Sequence, residues 1–464
     1  MTGLLLRGVE LPVGLRDVAV RDGQVAAIGV NLDADGAEVM DGCGGALLPG
    51  LHDHHLHLYA MAADADSVQC GPPRVRTPED LARALDTAPG GGWIRGVGYV
   101  ETVAGMLDAA SLDRLHARRP VRLQHRSGAL WMLNSAACAL AGLASAEHPG
   151  IERDDSGRPT GRLWRADAWL RERLPATGPP PLDTVGTDLA RFGITGVTDA
   201  TPDLTTDSLA ALLDAHITGA LPQRLHLLGV PLQVEPVSSA TVTTGPYKIV
   251  VADSALPDFD TLADTVRRAH THGRPVAVHC VSREALLLLL AVFDEIGTLT
   301  GDRIEHGALV PVESIPELRR RGLCVVTQPG FLAHRGDDYL ARVDPRDLPD
   351  LYRCRSLLNA GVPLALSSDA PYGPLDPWSV IAAATSRRAP TGHVVGPQET
   401  ITATQALNRY LTPLDHPGVA PRTVRVGAPA DLVLLDQPLI DTLVAPHSNS
   451  VRCTLIRGEI RYRR

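Results

Sequence analysis

The chain has 464 residues, 44% of them hydrophobic and 21% charged, with a net charge of −9 at pH 7. This suits one large catalytic domain with a smaller satellite, and the acidic balance argues against nucleic acid or an anionic membrane as partner. No apolar run of about 18 residues suggests a membrane span, residues 1–12 lack the layout of a signal peptide, and seven scattered cysteines form no disulfide or CxxC framework; a cytoplasmic homo-oligomer acting on a small molecule is the expectation.

Residues 1–48 read as short strands. Val18-Ala19-Val20 and Val25-Ala26-Ala27-Ile28 flank an Arg-Asp-Gly turn, which is a hairpin signal. Residues 431–435 and 453–460 look similar. The two termini, 1–48 with 422–464, are therefore expected to build one small β-sandwich domain. The apolar run from Gly45 to Leu51 leads into His52-Asp53-His54-His55-Leu56-His57. Alternate strand residues share a face, so a His-x-His pair presents two imidazoles side by side, as a metal requires. The spacing allows His52 with His54, or His55 with His57.

Residues 49–421 alternate strand and helix. Eight strand candidates stand at 47–58, 194–200, 225–230, 247–252, 275–280, 303–308, 323–328 and 363–369. Helical patterns at 259–272, 283–296, 315–321 and 352–360 separate the later ones, each followed closely by a glycine. Helices at 377–386 and 402–411 complete the pattern. This predicts an α/β fold, a TIM-type (β/α)8 barrel. A long insertion, about 59–192, follows the first strand and carries Trp93, Trp131, Trp164 and Trp169. These tryptophans serve either a small core of its own or an apolar wall over the barrel mouth.

Barrel active sites lie at the C-terminal ends of the strands. There the chain places the histidine stretch, Lys248, His279, His306 and Asp369. A lone strand histidine is more often core than ligand, and an aspartate after a strand is usually a helix cap. Five such ends in one barrel are hard to reach by accident. Lys248 is also the only lysine, in a chain that otherwise uses arginine for its cations.

These motifs resemble the amidohydrolase superfamily, and within it the amidohydrolase family 3 branch that includes N-substituted formamide deformylase-like enzymes. The resemblance runs through Asp53-His54-His55-Leu56-His57, Gly157 to Gly161, Gly193 to Asp199, Arg303 to Gly307, Gln328-Pro329, Ser368 to Pro371, Asp376 to Trp378 and Gly427 to Leu432. It aligns Asp53 with the family's motif aspartate and leaves His52 and His54 at variable positions. It implies that His55, His57 and Asp369 hold one divalent metal, that His279 and His306 hold a second, and that N-carboxylated Lys248 bridges them. Zinc is the first expectation; cobalt, manganese and iron suit the same ligands. It further implies a C–N hydrolase in which metal-activated hydroxide attacks a carbonyl and Asp369 acts as base, then acid. Tyr247 and Arg303 are candidate donors to the oxyanion.

Trp131, Trp164, Gln328, Phe331, Tyr372 and Trp378 are the candidate substrate residues. They suggest a mostly apolar amide, formamide or carbamate-like substrate. A thiocarbamate, a urea, a cyclic amide, or deamination on the same scaffold is the alternative. Three segments depart from the family pattern: Asp253-Ser254, Ser127-Gly128-Ala129 ahead of Trp131, and Gly98 to Glu101.

Overall fold

A computed structural model of the chain describes residues 3–175, 178–251 and 256–464. It divides into two compact units, Met1–Leu58 with Pro181–Arg464, and Tyr59–Pro180.

The larger unit is α/β and contains two parallel sheets. One runs in the order Val242–Thr244, Arg224–Leu227, Ile194–Asp199, Leu51–Leu56. The other runs Tyr247–Val250, Val276–Cys280, Arg303–His306, Cys324–Thr327, Leu364–Leu366. Ile194–Asp199 and Cys324–Thr327 are buried at every residue, the pattern of strands covered on both faces. Main-chain hydrogen bonds cross from sheet to sheet at both margins. Lys248 N donates to Leu228 O at 3.2 Å, and Asp369 N donates to His55 O at 2.9 Å.

The helices between the strands follow their sequence signals. Phe259–Thr271 buries Leu262, Ala263, Val266 and Ala269, one apolar stripe. The Asp258 side chain caps its N-terminus by accepting from Thr261 N. Arg283–Ile296, Ile315–Arg321 and Pro377–Ser386 have the expected bounds. Gly322 and Gly361 end their helices in the left-handed conformation. The helix expected from 352 begins only at Arg355. Tyr352 has a positive φ of 44°, and its N–H is taken by Ala308 O at 2.8 Å.

Two strand expectations change in the same way. The run 47–58 is not one strand: Leu47–Pro49 pairs antiparallel with Leu432–Leu435, and Leu51–Leu56 joins the parallel sheet. Gly50 makes the transition, where an added Cβ would lie 2.1 Å from the Thr195 side chain. The strand expected at 247–252 is preceded by the unanticipated Val242–Thr244. The chain leaves the first sheet there, passes Gly245 and Pro246, and enters the second as Tyr247–Val250. Pro246 has no N–H to give a ladder. Ala252 and the Asp253-Ser254 pair lie outside the described residues.

The same unit holds two four-stranded sheets from the termini. Leu4–Leu11, Gly14–Arg21, Gln24–Gly29 and Glu38–Asp41 form one; Leu47–Pro49, Leu432–Leu435, Val451–Ile456 and Glu459–Arg463 form the other. Leu6, Val18, Leu47, Leu434 and Leu455 belong to one buried cluster. The unit Tyr59–Pro180 is built on a six-stranded sheet with its own cores, one around Leu81, Leu112 and Leu123, another around Trp131, Leu133 and Leu163 with Trp93 and Trp169 packed on it. Among the described residues no helix is long and apolar enough to cross a membrane.

A methyl group at Gly245 would sit 2.5 Å from His226 Nε2 and 2.7 Å from Leu228 Cδ2. Gly245→Ala should therefore lower stability by about 1–3 kcal/mol through overpacking, measured by urea unfolding. An unshifted midpoint would show that the strand entrance can move aside.

Candidate metal centre

Strand alternation divides the histidine stretch between two faces. His52 Nδ1 pairs with Thr412 O at 2.9 Å, and His54 Nε2 with Thr412 Oγ1 at 2.9 Å. Both rings are buried and anchor the strand to the chain after helix Ala403–Tyr410. The other face carries Asp53 and His55, with His57 just beyond the strand. One ligand atom from each of His55, His57 and Asp369 falls within 4.8 Å of the others. Asp369 Oδ1 lies 3.5 Å from His55 Nε2 and 3.3 Å from His57 Nε2.

The remaining predicted ligands gather beside this group. The His306 ring centroid is 4.7 Å from that of His55 and 4.4 Å from that of His279. His306 Nδ1 is 3.9 Å from Asp369 Oδ2. Lys248 is buried, and its Nζ has no hydrogen-bond partner. Burial lowers its pKa from that of a free lysine, against the opposing charges of Glu305 and Asp369.

Hydrogen-bond partners assign the imidazole tautomers. His55 Nδ1 contacts the Glu305 carboxylate, which can only accept when ionised. Gln328 gives its amide N–H groups to Ser367 Oγ and Val326 O, so its Oε1 accepts from His306 Nδ1 at 2.9 Å. Thr201 Oγ1 donates to Asp199 Oδ1 and so accepts from His57 Nδ1 at 3.4 Å. With Nδ1 the donor in all three rings, Nε2 is the atom left to bind a cation. His55 Nε2 and Asp369 Oδ1 are both buried without a hydrogen-bond partner. Two imidazole nitrogens and a carboxylate oxygen converging in this way form the donor set of a divalent cation, and the residues present fit one.

The charge states agree with this. Burial, then the Lys248 charge, lowers the His55 pKa to about 3, so the ring is neutral. For Asp369, burial alone would raise the pKa; His57, His306 and His55 outweigh it and hold the carboxyl well below the usual range. Asp53 differs. Burial pushes it up to about 7, although it accepts from His55 N at 3.1 Å and from Ser368 N at 3.2 Å. His306 and Asp369 themselves have φ of 71° and 55°. That is the left-handed region, where non-glycine residues cluster at functional sites.

The candidate substrate residues scatter more widely. Tyr372 stacks edge-on to His57, ring centroids 5.5 Å apart. Phe331 is buried in one cluster with Tyr352, and Tyr372 packs against that cluster. Gln328 is committed to His306, as above. Trp378 is fully buried, its indole N–H donating to Phe192 O at 3.2 Å. Trp131 and Trp164 lie in the unit Tyr59–Pro180, where they donate to Asp167 at 2.7 Å and to Glu152 at 2.9 Å. Of the two oxyanion candidates, Arg303 donates from Nε to Glu305 Oε1 at 2.5 Å and leaves Nη1 without a partner, and Tyr247 OH donates to Asp203 at 3.3 Å. Sequence reasoning missed Glu305 and Thr201. Glu305 carried a signal, a carboxylate inside an apolar strand on the same face as Arg303. A separate cavity of about 610 Å³, lined by His52, Arg224, Arg422 and Asp431 among others, includes none of the six predicted ligands.

The family model described as the amidohydrolase family matches residues 38–462. The chain is 27% identical to N-substituted formamide deformylase of Arthrobacter pascens over 517 aligned positions, covering 96% of this chain and 95% of that protein. It is 26% identical to the protein LONG AFTER FAR-RED 3 of Arabidopsis thaliana, covering 96% of this chain and 88% of that one. Among solved structures, an uncharacterized metal-dependent hydrolase from Pyrococcus horikoshii OT3 matches with a TM-score of 0.74 at 19% identity, over 94% of this chain and 98% of that one. That likeness shows the fold.

An amine buried without a partner opposes folding. Lys248→Met should therefore leave the metal-stripped protein as stable as the parent or more stable, by about 1 kcal/mol. Urea unfolding in carbon dioxide-free buffer measures this. A marked loss of stability would mean that the amine is paired in the folded state.

Proposed function

The chain belongs to the amidohydrolase family and is a hydrolase acting on carbon–nitrogen bonds; from that membership we propose that it cleaves an amide, formamide or carbamate-like bond of a small, mostly apolar substrate at a two-metal centre. In this reading the two parallel sheets close into a (β/α)8 barrel, with the terminal sheets as a small β domain. His55, His57 and Asp369 would hold one divalent cation and His279 and His306 the other, with N-carboxylated Lys248 as the shared ligand. The observation that carries the reading is the convergence of His55 Nε2, His57 Nε2 and Asp369 Oδ1, with one ligand atom from each residue within 4.8 Å of the others.

Lys248 supports the bridge. Carboxylation by carbon dioxide needs a neutral amine, and burial favours that form. A guanidinium, always charged, could not take its place. The same residue argues against a mononuclear deaminase.

When bound, a divalent cation polarises a carbonyl oxygen and lowers the pKa of water to about 7. Asp369, ionised and beside the imidazole nitrogens, accepts the proton of the attacking water and returns it to the leaving nitrogen. Glu305, Gln328 and Thr201 hold the three rings in place. Tyr372 and Phe331, on the His57 side, favour an apolar or aromatic substituent on the substrate.

A hydrolysis screen of formamides, amides, carbamates and ureas with metal-replete protein tests the reading, together with metal analysis expected to find two ions per chain. Asp369→Asn should lower kcat by about 10²–10⁴ while most bound metal remains; near-normal turnover would sink the assignment. Lys248→Arg should lose one metal equivalent and the activity with it.

A further inference from the structure

The three rings that turn Nε2 outward are not held alike. His306 is held by a neutral amide and His57 by a hydroxyl. His55 is held by a carboxylate that is itself fully buried. That carboxylate has a second anchor. Its Oε1 accepts from Arg303 Nε at 2.5 Å, and Arg303 also donates to His54 O at 3.4 Å. Arg303 is 2% exposed. One buried guanidinium thus grips both the carboxylate that holds His55 and the backbone one residue before it.

The pairing has a physical reason. A carboxylate in such a dry position would take up a proton and become a donor. Beside His55 Nδ1 it would then favour the wrong tautomer, with the proton on Nε2. The Arg303 guanidinium, its Nε 2.5 Å from Oε1, supplies the counter-charge that keeps Glu305 an acceptor. An ionised carboxylate on the far nitrogen also raises the electron density of the near one, strengthening it as a ligand. An amide or a hydroxyl does less.

We infer that Arg303 and Glu305 are positioning residues for the His55/His57/Asp369 position: they lock His55 in its Nδ1–H tautomer, aim Nε2 at the cation, and make this the tighter of the two metal positions. The inference rests on the two-metal reading above. It assigns Arg303 a role other than oxyanion donor, and Glu305 a role although it touches neither substrate nor metal. Arg303–Glu305–His55 is a relay of charge and orientation, with no proton moved along it.

The test uses the full chain, stripped of metal and titrated with Co(II) against a competing chelator, following the visible ligand-field absorption. The wild type should fill in two steps. In Glu305→Gln the tighter step should weaken by about 10–100-fold with a changed absorption, while the weaker step stays where it was. Equal affinity and an unchanged spectrum in the variant would overturn the inference and leave the metal centre standing. No Co(II) uptake by the wild type would overturn the metal reading, and the inference with it.

Glu305→Gln leaves a buried guanidinium unpaired and could unfold the protein. Arg303→Met/Glu305→Gln removes both charges and should show the same selective loss. A measurement on the wild type is independent of either variant. Nitrogen-15 NMR of histidine-labelled metal-free protein, with His55 identified by its absence in His55→Gln, should report Nδ1–H and a bare Nε2 at His55. An Nε2–H tautomer there would overturn the inference.

Discussion

The centre depends on a seam between the first and last parallel strands. Asp369 N donates to His55 O and His57 N to Ala370 O, both at 2.9 Å. These bonds put the two histidines and the aspartate in register through the main chain, not through the reach of flexible side chains. Asp53 doubles the tie, accepting from His55 N and from Ser368 N. Its burial is costly enough to push its pKa to about 7. A carboxylate is retained there because it satisfies N–H groups from both strands at once, groups that would otherwise be buried unpaired. The motif aspartate thus works by splicing the site together and needs no contact with a cation.

Much of this was legible in the sequence because it is local. Helix ends at Gly322 and Gly361, the cap at Asp258 and the hairpin through Asp22-Gly23 each follow from a few neighbouring residues. So does the sidedness of His52/His54 against His55/His57, once a strand is granted. What the sequence left open is set by distant partners. Nothing within 47–58 says that Leu47–Pro49 will pair with Leu432–Leu435 and the rest with Ile194–Asp199. Trp378 reads like a pocket residue beside Asp376-Pro377, yet the carbonyl that takes its N–H belongs to Phe192. Gln328 reads as a substrate contact because it ends a strand; the adjacent strand's His306 claims it first. Tautomers lie further still from sequence, since each follows from what the partner of the other ring nitrogen can accept.

The charge pattern of the site explains both its chemistry and its cost. Burial drives several bases in it toward neutrality: His55, His306, His279 and Lys248 all move below their ordinary values. The two acids resist the same burial. Asp369 is held ionised by imidazoles, and Glu305 chiefly by Arg303. Two carboxylates thus sit beside several imidazole nitrogens in a region with little water to solvate them. Such a cluster contributes nothing to folding by itself. Its energy is recovered when a divalent cation enters, because one ion satisfies the carboxylate and the nitrogens together. The isolated lysine belongs to the same logic. A chain that uses arginine elsewhere has, buried beside these acids, the one cationic side chain that can give up its proton.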